Sequence, residues 1–166
     1  MFLDRDGVIN EDRHYVHKKN DFFFTLGIFE VLRYLKNLNY EFIIVTNQSG
    51  IGRKFFTEDK FTKLSYWMEE VLKKESVEIL DTFYCPHVPE DNCYCRKPSP
   101  GLFEQAKKKY EINLSRSWMI GDSERDIISA NVAGINNTII IDKTNKPSIA
   151  KYKISSIEAV QNIIHS

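Results

Sequence analysis

The chain has no apolar run approaching the roughly 20 residues needed to cross a bilayer as a helix, and nothing at "MFLDRDG" resembles the basic and apolar stretch of a signal peptide. A cytoplasmic protein is the expectation. It also lacks an excess of either charge: 23 Lys and Arg balance 23 Asp and Glu. No global field would hold it on nucleic acid or an anionic membrane, so any phosphate must be met locally. Nucleotide-binding loops are absent too. "GIGRKF" has Phe55 where a dinucleotide fingerprint needs its third glycine, and no Gly-Lys follows at Walker spacing. Gly50 and Gly52 therefore shape a loop, with Arg53 either solvated or near substrate. Cysteines number only three. They cannot all pair among themselves, which argues against a disulfide framework.

What is present is alternation. "MFL" ends at Asp4, "FEVLRYLKNL" has helical spacing, and "YEFIIVTNQSG" is a β-branched run stopped by turn residues. Thr57 can cap a helix from Glu58 to about Lys74, and "ILDTFYC" reads as a strand. Pro100 stands near the start of a helix in "SPGLFEQAKKKY". "SWMIGD" is a strand, "ERDIISANVAG" a helix closed by Gly134, and "NTIIID" a further strand. Without repeats, low-complexity segments or long linkers, residues 1–166 form one α/β domain with a Rossmann-like, mostly parallel sheet and helices on both faces. Ligands of such sheets bind beyond the carboxyl ends of the strands. Three polar turns occupy those positions: "DRDG", "TNQSG" and "GDSERD".

Asp4 and Asp6 stand two apart, so an extended strand would aim both to one side before Gly7 turns the chain. Two close carboxylates suit a hard divalent cation, or a division of labour between an ionised nucleophile and a protonated acid. A solvated turn is the bland alternative. An EF-hand is excluded, because Ile9 stands where that loop needs glycine.

In order along the chain, "FLDRDG", "VTNQSG", "CRKPSPG" and "MIGDSERD" resemble the four motifs of the haloacid dehalogenase superfamily of phosphohydrolases. More narrowly, "FLDRDGVIN", "YVH", "TNQSGIGR" and "CPH…CYCRKPSPG" resemble the D-glycero-D-manno-heptose 1,7-bisphosphate phosphatases, relatives of the histidinol-phosphate phosphatases. The resemblance implies that Asp4 attacks phosphorus and forms an aspartyl phosphate. Asp6 would protonate the departing oxygen and then activate water, which requires a carboxyl pKa raised by its neighbours while Asp4 stays ionised. Asp122 would join Asp4 and the Asp6 carbonyl around Mg2+. Thr46 and Asn47 would donate to phosphoryl oxygens, with Gln48 and Ser49 also binding substrate, while Lys97 supplies positive charge. Asp126 would orient Lys97 or a metal-bound water, unless it is simply an acid at a helix start.

Cys85, His87, Cys93 and Cys95 form C-x-H-x5-C-x-C, a tetrahedral Cys3His set for zinc, against the alternative of buried or free thiols. Four protein ligands leave no open position, so this Zn2+ would be structural. Its loop, 85–95, would hold Arg96 and Lys97 against the site.

Only 41 residues separate Asp4 from Thr46, which leaves no room for a large cap domain. Specificity would then come from loops. Arg96 could bind a second, non-reacting phosphate of a sugar bisphosphate, and by resemblance Asp12, Arg13, His14 and Tyr15 would contact the sugar. His14 and His17 could equally be surface residues. Relatives commonly carry lysine where Ser123 follows Gly-Asp here, removing one phosphate-recognising cation. The expected protein is a monomer acting on a small phosphorylated sugar, bound to no nucleic acid or membrane, and supplying nucleotide-activated heptose for lipopolysaccharide. Histidinol-phosphate phosphatase and an inactive zinc-stabilised binding protein are the alternatives.

Overall fold

The structure is a computed structural model describing residues 1–144 and 146–165. Strands β1 (Phe2–Leu3), β2 (Phe42–Asn47), β3 (Ile79–Cys85), β4 (Trp118–Gly121), β5 (Asn137–Ile141) and β6 (Tyr152–Ile154) alternate with helices α1 (Ile28–Asn37), α2 (Ser49–Gly52), α3 (Glu58–Lys74), α4 (Gly101–Tyr110) and α5 (Glu124–Ala133). The six strands form one sheet in the order β3-β2-β1-β4-β5-β6, and every pairing is parallel. This is the doubly wound arrangement expected from the alternation, and its chain order reverses between β1 and β4.

Both faces of the sheet are covered. Leu3, Phe42, Ile44, Ile120 and Ile139 pack into one buried cluster with Val31, Leu32 and Leu35 of α1 and Leu64, Met68 and Leu72 of α3. The alternate strand residues Phe2, Ile43, Val45 and Met119 join Leu102, Phe103 and Ala106 of α4 and Ala130 of α5 in a second cluster. Period-2 side-chain alternation through a sheet buried on both faces produces this split.

Local signals set the helix boundaries. Thr57 Oγ1 accepts from the Lys60 amide at 3.3 Å, capping α3. Gly134, at φ 96°, closes α5 in the left-handed region open to glycine. Between β1 and β2 the described residues hold only a 3-10 turn, Lys19–Asp21, and α1. No cap domain stands over the carboxyl end of the sheet there.

Candidate active site

β1 ends at Leu3, one residue before Asp4, and the Asp4 amide donates to Ile120 O at 3.0 Å. Asp4 therefore lies at the reversal point, beside the end of β4. The turn after β1, rather than strand alternation, brings Asp4 and Asp6 to a common cavity of about 420 Å3. Gly7 is needed at φ 83°. A Cβ there would lie 2.0 Å from Asp122 Oδ2, so only glycine lets the loop approach β4 this closely.

Carboxylate oxygens of Asp4, Asp122 and Asp126 all lie within 4.8 Å of one another. One cation answers them. Lys97, 2% exposed, reaches Asp4 Oδ1 at 3.1 Å and Asp126 Oδ1 at 2.6 Å and donates to Val45 O at 2.8 Å. Burial opposes its charge, but Asp126 and Asp4 outweigh that and hold the Lys97 ammonium above the usual lysine range. The carboxylates remain undercompensated. Burial first, then Asp126, pushes Asp4 well above the ordinary aspartate range, although Lys97 opposes the shift. The same two causes push Asp122 up to about 7. Without a cation both carboxyls are thus raised. The physical reason is three carboxylates around one lysine. The set fits a hard divalent cation, because converging oxygens with surplus negative charge are what Mg2+ binds.

Asp6 has different surroundings. Arg5, Asn10 and Gln48 donate to its two oxygens, so its nearest neighbours are donors. Asp126 satisfies both readings made of it. It grips Lys97, and its Oδ2 accepts from the Asp122 amide at 3.2 Å and from the amide and hydroxyl of Ser123 at 3.1 Å each, closing the start of α5.

The turn after β2 supplies the opposite wall. Thr46, buried, and Ser49 both line the cavity. Asn47 also lines the cavity, but its amide is engaged with the Lys97 backbone: Nδ2 donates to Lys97 O and Oδ1 accepts from Lys97 N, both at 3.0 Å. The expected donor to phosphate thus also braces the Lys97 backbone. Gln48 similarly donates to Asp6 and Thr46 at 3.0 and 2.9 Å.

Of the loop residues, Asp12, His14 and Tyr15 line the cavity and Arg13 does not. Arg13 pairs with Glu11 at 2.8 Å and stacks 3.8 Å over the Phe23 ring, which corrects its expected sugar contact. His17 stacks on Phe56 at 4.9 Å. Arg96 lines the rim, where Arg53 and Arg125 join it. Sequence reasoning left Arg53 open and missed Arg125, whose position as the second residue of α5 was the available signal. A second cleft, of about 590 Å3, lies at the opposite end of the sheet near Glu41, Phe42 and Glu78, away from these groups.

Cys85, His87, Cys93 and Cys95 converge as well. Cys85 Sγ lies 3.5 Å from Cys93 Sγ and 3.2 Å from Cys95 Sγ, and His87 Nδ1 lies 3.2 Å from Cys95 Sγ. Tetrahedral zinc with Zn–S near 2.3 Å would separate its sulfurs by about 3.8 Å, so the donors need only a slight expansion. Burial and the Cys95 thiol push the Cys85 thiol up. This loop is tied to the site twice. The Gln48 amide donates to Cys85 O at 2.7 Å, and Arg96 Nη1 donates to His87 O at 3.2 Å.

Known proteins share this layout. A family model described as HAD-hydrolase-like matches residues 94–159. A D-glycero-alpha-D-manno-heptose-1,7-bisphosphate 7-phosphatase of Photorhabdus laumondii is 44% identical over 154 residues, covering 89% of this chain and 84% of that protein. A D-glycero-beta-D-manno-heptose-1,7-bisphosphate 7-phosphatase of Helicobacter pylori is 48% identical over 142 residues, covering 85% of this chain and 82% of that one. The crystal structure of the D,D-heptose 1,7-bisphosphate phosphatase of B. bronchiseptica, complexed with magnesium and phosphate, superposes with a TM-score of 0.88 at 26% identity, covering 98% of this chain and 96% of that one. With the doubly wound sheet and its strand-end carboxylates, these relatives place the chain in the haloacid dehalogenase-like hydrolases, and it belongs to their heptose-bisphosphate phosphatase family.

Proposed function

We propose that this phosphatase removes the 7-phosphate of D-glycero-D-manno-heptose 1,7-bisphosphate through an aspartyl phosphate on Asp4. The observation that carries the reading is the position of Asp4: at the reversal point, in contact with Lys97 and facing Asp122 across one cavity. An Asp4 oxygen forms the new bond to phosphorus while the bond from phosphorus to the sugar oxygen breaks, and that oxygen takes its proton from Asp6. Water activated by Asp6 then hydrolyses the acyl phosphate, so one difficult displacement becomes two easier ones. Thr46 and Lys97 hold the phosphoryl oxygens. Asp4, Asp122 and the Asp6 carbonyl would bind Mg2+, which offsets the charge of the carboxylates and of the incoming phosphate. Cys85, His87, Cys93 and Cys95 would hold a structural Zn2+.

The rim supports a substrate with two phosphates. Arg53, Arg96 and Arg125 approach the cavity from three separate segments, and guanidinium groups match phosphate bidentately. Arg125 offers a cation close to where Ser123 replaces the lysine common in relatives.

The test is phosphate release in the presence of Mg2+ from the α and β heptose bisphosphates and from histidinol phosphate, compared by kcat/KM. A strong preference for either heptose anomer is expected, with Asp4→Asn abolishing turnover while zinc content is unchanged. Preference for histidinol phosphate would overturn the substrate, and substantial turnover by Asp4→Asn would overturn the nucleophile.

A further inference from the structure

Four hydrogen bonds fix the Asp6 carboxyl group. Its Oδ1 accepts from Arg5 Nη2 at 2.9 Å and Asn10 Nδ2 at 3.0 Å, and its Oδ2 accepts from Arg5 Nε at 3.1 Å and Gln48 Nε2 at 3.0 Å. The Arg5 fork grips the carboxyl from the protein interior. Arg5 is 1% exposed, donates also to Val16 O at 2.9 Å, and lies 5.6 Å from the Phe61 ring centroid. Gln48 belongs instead to the turn after β2 and is 4% exposed. Its Nε2 bonds both Asp6 Oδ2 and Thr46 Oγ1, so its two protons are committed within the protein. An amide used this way has no donor left for a substrate.

We propose that Gln48 is a positioning residue for Asp6. By spanning from Thr46 to Asp6 it sets the rotamer in which the acid meets the departing sugar oxygen. The proposal rests on the reading of Asp6 as that acid. Without Gln48 the carboxyl keeps Arg5 and Asn10, so its charge stays paired and the fold is retained. It loses the one restraint that comes from the second loop, and small misplacements of a reacting group are costly in rate.

A sugar alkoxide needs a proton to leave, whereas 4-nitrophenolate does not. Gln48→Met, of similar length and without a donor, should therefore lower kcat/KM for the heptose bisphosphate about tenfold more than for 4-nitrophenyl phosphate, a fraction of what a positioned acid contributes. kcat/KM reports only as far as the first irreversible step, so the shared hydrolysis of the aspartyl phosphate drops out. Gln48→Leu, apolar and likewise without a donor, should shift the same ratio in the same direction and provides a second variant. Asp6→Asn is the reference. If it shifts the ratio and neither Gln48 variant does, or if both Gln48 variants lose equally on the two substrates, the positioning role is overturned. If Asp6→Asn leaves the ratio unchanged, the acid assignment itself fails.

Discussion

Lys97 spends its ammonium on Asp4, Asp126 and the Val45 carbonyl, at 2% exposure. A cation so completely enclosed is costly to bury alone, and so are its partners, so removing one side of the set leaves uncompensated charge. Lys97→Met should lower the stability of the Mg2+-free protein by about 3–5 kcal/mol, measured by urea unfolding, and should remove turnover. A loss below about 1 kcal/mol would mean that Asp4 and Asp126 are not held by this lysine. Lys97 itself was legible because DxDG, Lys-Pro and Gly-Asp occur in that order along the chain. The partners of Asn47 were not, since its bonds to the Lys97 backbone span 50 residues of sequence. Local sequence carries no signal for such a pairing.

At the scale of elements, legibility followed length and local chemistry. α3 was readable to its last residue because a capping threonine precedes seventeen helical residues with a buried stripe. β6 was missed. It has three residues at the sheet edge, pairs only with β5, and takes its strand form from that neighbour instead of from propensity. The 3-10 segment Ile157–Asn162, which packs on α1, was missed for the same reason. The loop at 85–95 was readable because cysteine and histidine spacing is itself a chemical statement. With Zn2+ held there as proposed, its ties to Gln48 and its position directly before Arg96 and Lys97 predict that chelating the zinc will impair catalysis without touching a catalytic group. Treatment with a thiol-specific zinc chelator should lower Tm and raise KM, and stoichiometric Zn2+ under reducing conditions should restore both. Unchanged kinetics after zinc loss would separate the loop from the site.

The whole molecule is electrically balanced, yet at its strand-end cavity Asp4, Asp122 and Asp126 crowd around one lysine. Asp122 is raised to about 7 and Asp4 is raised as well, so without a cation the folded chain holds protons that the unfolded chain has released. Stability of the Mg2+-free protein should therefore fall as pH rises from the ordinary aspartate range toward 7. Mg2+ displaces those protons on binding, so the gain in Tm on adding it should be larger at about pH 8 than at about pH 5. Equal gains would contradict the assignment of these carboxylates as its ligands. The central two-residue strand has a further consequence, for how the molecule is assembled. β1 pairs with β2 some forty residues away and with β4 more than a hundred residues away, at Phe2↔Ile43 and Phe2↔Met119. Contacts this distant in sequence form slowly, because the intervening chain must first be ordered. The nucleophile is therefore seated only when both halves of the sheet have closed around it, and recovery of activity on refolding should lag behind recovery of helical signal.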